Sequence, residues 1–148
     1  MIEYYKTKEN GEIQKIDAYE VGCWVSAVAP SPDEIDYLSK KLEIPKDHIL
    51  DPLDEQERSR IELKHVEENF KHSLVIVDCP VEAKDEMGFL EFRTIPIGII
   101  TTKEVMLTVV LKQLPALRIL LIGEWNSMTR QITSSLFYKF YMLYLITF

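Results

Sequence analysis

The sequence is poor in the residues that most metal, redox and nucleotide chemistry requires. Its two cysteines, Cys23 and Cys79, stand far apart with no Cys-x-x-Cys spacing. That excludes zinc-finger and thioredoxin-like motifs and fits a reducing compartment. The three histidines, His48, His65 and His72, are dispersed, and none forms an i, i+4 pair on one helix face. Gly-rich phosphate loops, His-Glu-x-x-His and Gly-x-Ser-x-Gly are all missing, which removes the usual signatures of nucleotide enzymes, zinc proteases and serine hydrolases. No stretch reaches the roughly 18–20 continuous apolar residues of a membrane-spanning helix. Met1 to Lys6 lacks a basic region leading into an apolar run, so no signal peptide is expected.

Positive charge is also short. Lys plus Arg number 17 against 24 for Asp plus Glu, a net of -7 over 148 residues. Phosphate backbones are bound by clustered cations, so nucleic acid is not an expected partner. The imbalance is local. Residues 31 to 70 hold twelve acids and six bases, whereas residues 101 to 148 hold two acids and five bases. The acidity therefore sits mid-chain.

What is present reads as one folded domain followed by a helix. Ile2 to Thr7 and Glu12 to Ile16 flank the turn pair Asn10-Gly11 and predict a hairpin. Cys23 to Ala29 predicts a short buried strand. Ser31-Pro32-Asp33-Glu34 places a capping hydroxyl, a proline at the first helical position and a glutamate at the third, which predicts a helix start. Ile35, Leu38 and Leu42 then put one face inward. Lys46 to Glu62 reads as a dense, charged helical stretch that restarts at Asp51-Pro52. Ser73 to Cys79, Phe89 to Thr101 and Val105 to Leu111 read as antiparallel strands of a central sheet covered on both faces. From Asn126 the period turns helical. Met128, Ile132, Leu136, Phe140, Leu143 and Thr147 form one stripe, with Phe137, Tyr141, Tyr144 and Phe148 beside it. So wide an apolar arc needs another helix, another subunit or a membrane-proximal continuation against it. The expected organisation is a domain over 1–125 built on a largely antiparallel central sheet, and a C-terminal helix over 126–148.

The carboxylates Asp47, Asp51, Asp54, Glu55 and Glu57 form the densest functional-looking feature. On a helix, Asp47, Asp51 and Asp54 would share a face at i, i+4 and i+7. Hard cations such as Mg²⁺ take oxygen ligands and keep several waters, so one or two carboxylates make a weak site. Asp51 before Pro52 is also a favourable helix cap, with Asp54 at the third helical position. Capping is the stronger of these two compatible readings. Arg58 and Arg60 are expected to neutralise the neighbouring acids, Cys79 to be a buried strand cysteine, and Trp24 and Trp125 to be core or interface anchors.

In order and spacing, Trp24-Val25, Pro32-Asp33-Glu34, Leu42-Glu43-Ile44, Leu50-Asp51, Glu57-Arg58-Ser59-Arg60-Ile61-Glu62 and Leu74-Val75-Ile76-Val77 resemble the cytoplasmic domain of CorA-type magnesium transporters. Arg58 to Glu62 resembles that family's Arg-Pro-Lys-Val-Glu run, and Leu50-Asp51 falls on its Glu-Asp pair. Ile99 to Thr102 resembles the next strand end. Thr129-Arg130-Gln131 with Leu136, Tyr138 and Tyr144 resembles the start of the long helices.

The resemblance implies an α/β domain with a mixed, largely antiparallel sheet between helical layers, soluble and non-enzymatic, on the cytoplasmic face of a membrane as part of a homopentameric funnel. Mg²⁺, Co²⁺ or another divalent cation would bind weakly between neighbouring domains and hold the channel closed. It points to Asp51 as the sensor ligand, with Asp54 and Asp47 beside it. Leu50 departs from the family's Glu and thins the ligand set. Both transmembrane helices and the Gly-Met-Asn motif are absent, so the chain reads as a fragment whose membrane contact would come through missing C-terminal segments. A free-standing module that oligomerises through its aromatic C-terminal helix is the alternative, and a small metal-dependent hydrolase is a weaker third.

Overall fold

Apolar segments that alternate or run continuously pair here into a single sheet, and the capped segment between them lies on it. The structure is a computed structural model that describes residues 1–66, 69–114 and 117. Its elements in chain order are β1 (Ile2–Thr7), β2 (Ile13–Ile16), β3 (Trp24–Val28), α1 (Pro32–Leu42), α2 (Lys46–Leu50), a 3-10 turn (Asp51–Leu53), β4 (Arg60–Val66), β5 (Asn69–Lys84), β6 (Leu90–Thr102) and β7 (Met106–Val110). The seven strands lie in the order β2-β1-β3-β7-β6-β5-β4. Every neighbouring pair is antiparallel except β3 with β7. The expected mixed, largely antiparallel sheet is therefore present.

Local chemistry accounts for α1. Ser31 Oγ accepts from the Glu34 amide at 3.2 Å, and Glu34 Oε2 accepts from the Ser31 amide at 2.8 Å, closing the capping box. Pro32 stands in the first turn, where its missing N–H is not needed. The helix ends at Leu42 because Glu43 turns left-handed at φ 53°, and its amide donates back to the Ser39 carbonyl.

The two faces of the sheet carry separate cores. On one, Val25, Ala27, Leu74, Ile76, Ile100 and Leu107 are covered by Ile35 and Leu38 of α1, by Ile44 and by Ile49 of α2. On the other, Tyr5, Trp24, Ile97, Ile99 and Met106 gather around Leu114 and Leu117. Ile95 to Ile100 and Met106 to Val110 are buried throughout, as expected of central strands covered on both faces. Cys79 is a buried strand residue, and Trp24 is a core anchor whose Nε1 donates to Thr108 Oγ1 at 2.9 Å.

One expectation is corrected. Lys46 to Glu62 is not a continuous charged helix. Helical structure stops at Leu53, a turn follows, and Arg60 to Glu62 opens strand β4, paired with Ile76 to Leu74 of β5. Arg60-Ile61-Glu62-Leu63-Lys64 alternates with period two, and strand pairing along that register outweighs helix propensity. The helix expected over 126–148 and Trp125 lie outside the described residues.

Candidate functional site

The acidic segment meets the sheet through one unusually close contact. α2 has only five residues, too few to be stable alone, and is held by packing. Ile49 is fully buried, a burial that contributes about 1.5–3 kcal/mol for a side chain of this size. Pro52 of the 3-10 turn is buried directly over Gly98 of β6. A Cβ at Gly98 would lie 2.1 Å from Pro52 Cγ, so only glycine permits this approach. The contact fixes where Asp51 and His48 project over β4 and β5.

Asp51 does not cap a helix with its side chain, as the sequence suggested. It is itself in the 3-10 turn, which has no side-chain cap, and its Oδ2 takes a charged hydrogen bond from Arg60 Nη2. Arg60 also donates through Nη1 to Glu57 and through Nε to Glu62 Oε1 at 2.6 Å. One guanidinium therefore serves three carboxylates, leaving a local excess of two negative charges. The pairing with Glu62, then the nearby Glu57 and Asp51, pushes Arg60 further up its already high pKa, and Arg60 in turn holds Glu62 below the usual carboxylate range. The neutralising role expected of Arg60 is what its geometry provides.

The other two predicted aspartates do not join Asp51. Asp54 Oδ1 accepts from the Gln56 amide at 2.9 Å, which shapes the turn after the 3-10 segment. Asp47 is exposed in the first turn of α2. Among the described residues, no group of three or more His, Cys, Asp or Glu side chains is placed to hold a metal ion.

Two histidines that looked unrelated do meet. His72 of β5 is 2% exposed, and its Nε2 lies 3.1 Å from Nδ1 of His48 in α2. The other nitrogen of His48, Nε2, lies 3.4 Å from Glu62 Oε2. Burial, reinforced by His48, pushes the His72 pKa down from its ordinary value. No local spacing signals this pair. Recognising Arg60–Val66 as a strand opposite β5 would have brought Glu62 beside Leu74 and Lys64 beside His72.

With this geometry in place, comparison with solved structures becomes informative. The complete CorA magnesium transporter of Methanocaldococcus jannaschii matches 99% of this chain and 45% of its own, with a TM-score of 0.68 at 20% identity. The soluble domain of CorA from the same organism matches 90% of this chain and 50% of its own, with a TM-score of 0.61 at 22% identity. The fold is that of the CorA soluble domain. The chain spans about half the length of each of these CorA structures. No family model and no curated protein matches it in sequence. In this CorA-like fold, no helix among the described residues is long and apolar enough to cross a membrane.

Proposed function

We propose that the chain is the regulatory, Mg²⁺-sensing domain of a CorA-like divalent-cation transporter, acting without catalysis at the cytoplasmic face of the membrane. The observation that carries this reading is the CorA soluble-domain fold across nearly the whole chain. The charge distribution supports it locally, since Asp51 sits where three carboxylates share one guanidinium.

Asp51 is the proposed sensor ligand, and Asp54 and Asp47, whose side chains do not converge on it, contribute nearby negative charge to the proposed site. Arg60 engages Asp51 Oδ2, so Oδ1 remains able to accept from a hydrated cation. Mg²⁺ sheds water reluctantly and is commonly held by one or two carboxylates, so a lone aspartate edge fits a weak, water-rich site better than an enclosed cage. The remaining ligands come from a neighbouring copy of the domain. Acids facing each other across such an interface repel until a divalent ion neutralises them, and the ion thereby selects the closed assembly.

The test is a Mg²⁺ titration of the chain, followed by backbone amide shifts and by light scattering. Shifts centred on Asp47 to Asp54, weakened several-fold in Asp51→Ala and accompanied by self-association, are expected. Shifts that are absent, or that persist unchanged in Asp51→Ala, overturn the assignment.

A further inference from the structure

We infer that His48 and His72 form a two-imidazole site for a borderline transition-metal cation of the Zn²⁺, Co²⁺ or Ni²⁺ class, separate from the aspartates proposed for Mg²⁺. Four features of the geometry support it.

The first is the bite. His72 Nε2 and His48 Nδ1 face each other at 3.1 Å. Metal–nitrogen bonds of about 2.0–2.1 Å place two imidazole ligands about 3.3 Å apart on a tetrahedral centre and about 3 Å apart at cis positions of an octahedron. The second is the carboxylate behind one ligand. His48 Nε2 lies 3.4 Å from Glu62 Oε2, the arrangement in which a ligating histidine gives its other N–H to a carboxylate that fixes its tautomer and raises its basicity.

The third is proton placement. With Glu62 beside it, His48 carries its proton on Nε2, so Nδ1 is a lone-pair donor. His72 then donates its Nε2–H to His48 Nδ1, and its buried Nδ1 has no hydrogen-bond partner. A metal between the rings requires only that the His72 proton move from Nε2 to Nδ1. That exchanges one unmet buried group for another, so the tautomer change adds little penalty. The fourth is access and rigidity. His72 lies near the start of β5, where it is buried and flanked by Lys64 of β4 and Thr102 of β6, while the His48 side chain is 17% exposed, so the pair is reachable from solvent on the α2 side.

Lys64 and Lys71 act against a cation at this position, and Glu62 acts for it. The imidazole nitrogens supply the selectivity, because they suit Zn²⁺, Co²⁺ and Ni²⁺ and are poor ligands for Mg²⁺. Such an ion would clamp α2 to β5.

Calorimetric titration of the 148-residue chain with ZnCl₂, paired with ring ¹⁵N spectra of the histidines, tests the site. One Zn²⁺ per chain is expected, with the large shifts on His48 Nδ1 and His72 Nε2. Glu62→Gln is expected to weaken binding about 10- to 100-fold, the usual effect of losing an outer carboxylate, and His48→Ala to weaken it at least as much. Asp51→Ala is expected to leave Zn²⁺ affinity unchanged, and a large excess of Mg²⁺ not to compete, which separates this site from the Mg²⁺ reading. Absence of saturable binding, undiminished affinity in His48→Ala, or ring shifts confined to His65 would each overturn the proposal. His48→Ala, at a partly exposed position, keeps the test valid if a substitution at buried His72 fails to fold.

Discussion

Pro52 rests on the bare backbone of Gly98, so close that a single added methyl would stand 2.1 Å from its ring. This contact, between a 3-10 turn and a central strand 46 positions later in the chain, sets the height of the acidic segment over the sheet. Gly98 pairs with Ile76 of β5, and Ile76 in turn pairs with Arg60 of β4. The strand glycine, the turn proline and the arginine that gathers the carboxylates therefore stand along one line across the sheet.

Gly98→Ala is accordingly expected to destabilise the fold. The proline ring cannot rotate away as a flexible side chain would, so the turn must lift from the sheet. A loss of about 1–3 kcal/mol is expected in urea unfolding, the usual cost of overpacking a close contact. A compensating Pro52→Ala in the same chain should recover part of it. An unchanged midpoint in Gly98→Ala would show that the turn is not seated on β6.

Arg60 is the counter-charge of the acidic cluster, and its removal is expected to act in two directions. Arg60→Ala should lower stability by about 1 kcal/mol or less, since the side chains involved are partly exposed and screened by water. It should also tighten Mg²⁺ binding, because Asp51, Glu57 and Glu62 are then left without their shared cation. Weaker Mg²⁺ binding in Arg60→Ala would contradict the electrostatic account.

Acid should weaken the fold through two groups whose signs agree. The buried His72 has a folded pKa below its ordinary 6.5. Below pH 6.5 the unfolded chain takes up this proton before the folded chain does, and stability falls as pH drops from there toward the folded pKa. Glu62 is held below its ordinary 4.5 by Arg60, so its contribution is present above 4.5 and is lost as pH falls through the lowered value. Urea unfolding at pH 7.5 and 5.5 should show the His72 part of the loss, with the Glu62 part appearing only below 4.5. His72→Phe, which keeps a buried ring without the titrating nitrogens, should flatten the upper part of the pH dependence. A slope that survives in His72→Phe assigns it to another group.

Both thiols are expected to be silent in the native chain. Cys23 and Cys79 are 2% and 7% exposed, and burial pushes both thiol pKa values up, which starves each of reactive thiolate. An aromatic disulfide reagent should modify them only as fast as the fold opens, and at once in urea. Rapid modification of either in native buffer would place it at a mobile edge.

Much of this protein was legible as local spacing. The capping box of Ser31 and Glu34, the Asn10-Gly11 hairpin and the apolar runs of β3, β5, β6 and β7 are each decided within a few residues, by hydrogen bonds and periodicities that do not depend on the rest of the chain. Other features arose only from register and docking. Arg60-Ile61-Glu62 is a strand because β5 lies beside it. Asp51 serves Arg60 rather than a helix end because Pro52 seats the turn on Gly98. His48 and His72, 24 positions apart, meet because a short helix crosses the strand that carries the second ring. A composition poor in histidine and cysteine still allowed two imidazoles to converge, because convergence depends on which faces pack together and not on how many such residues there are.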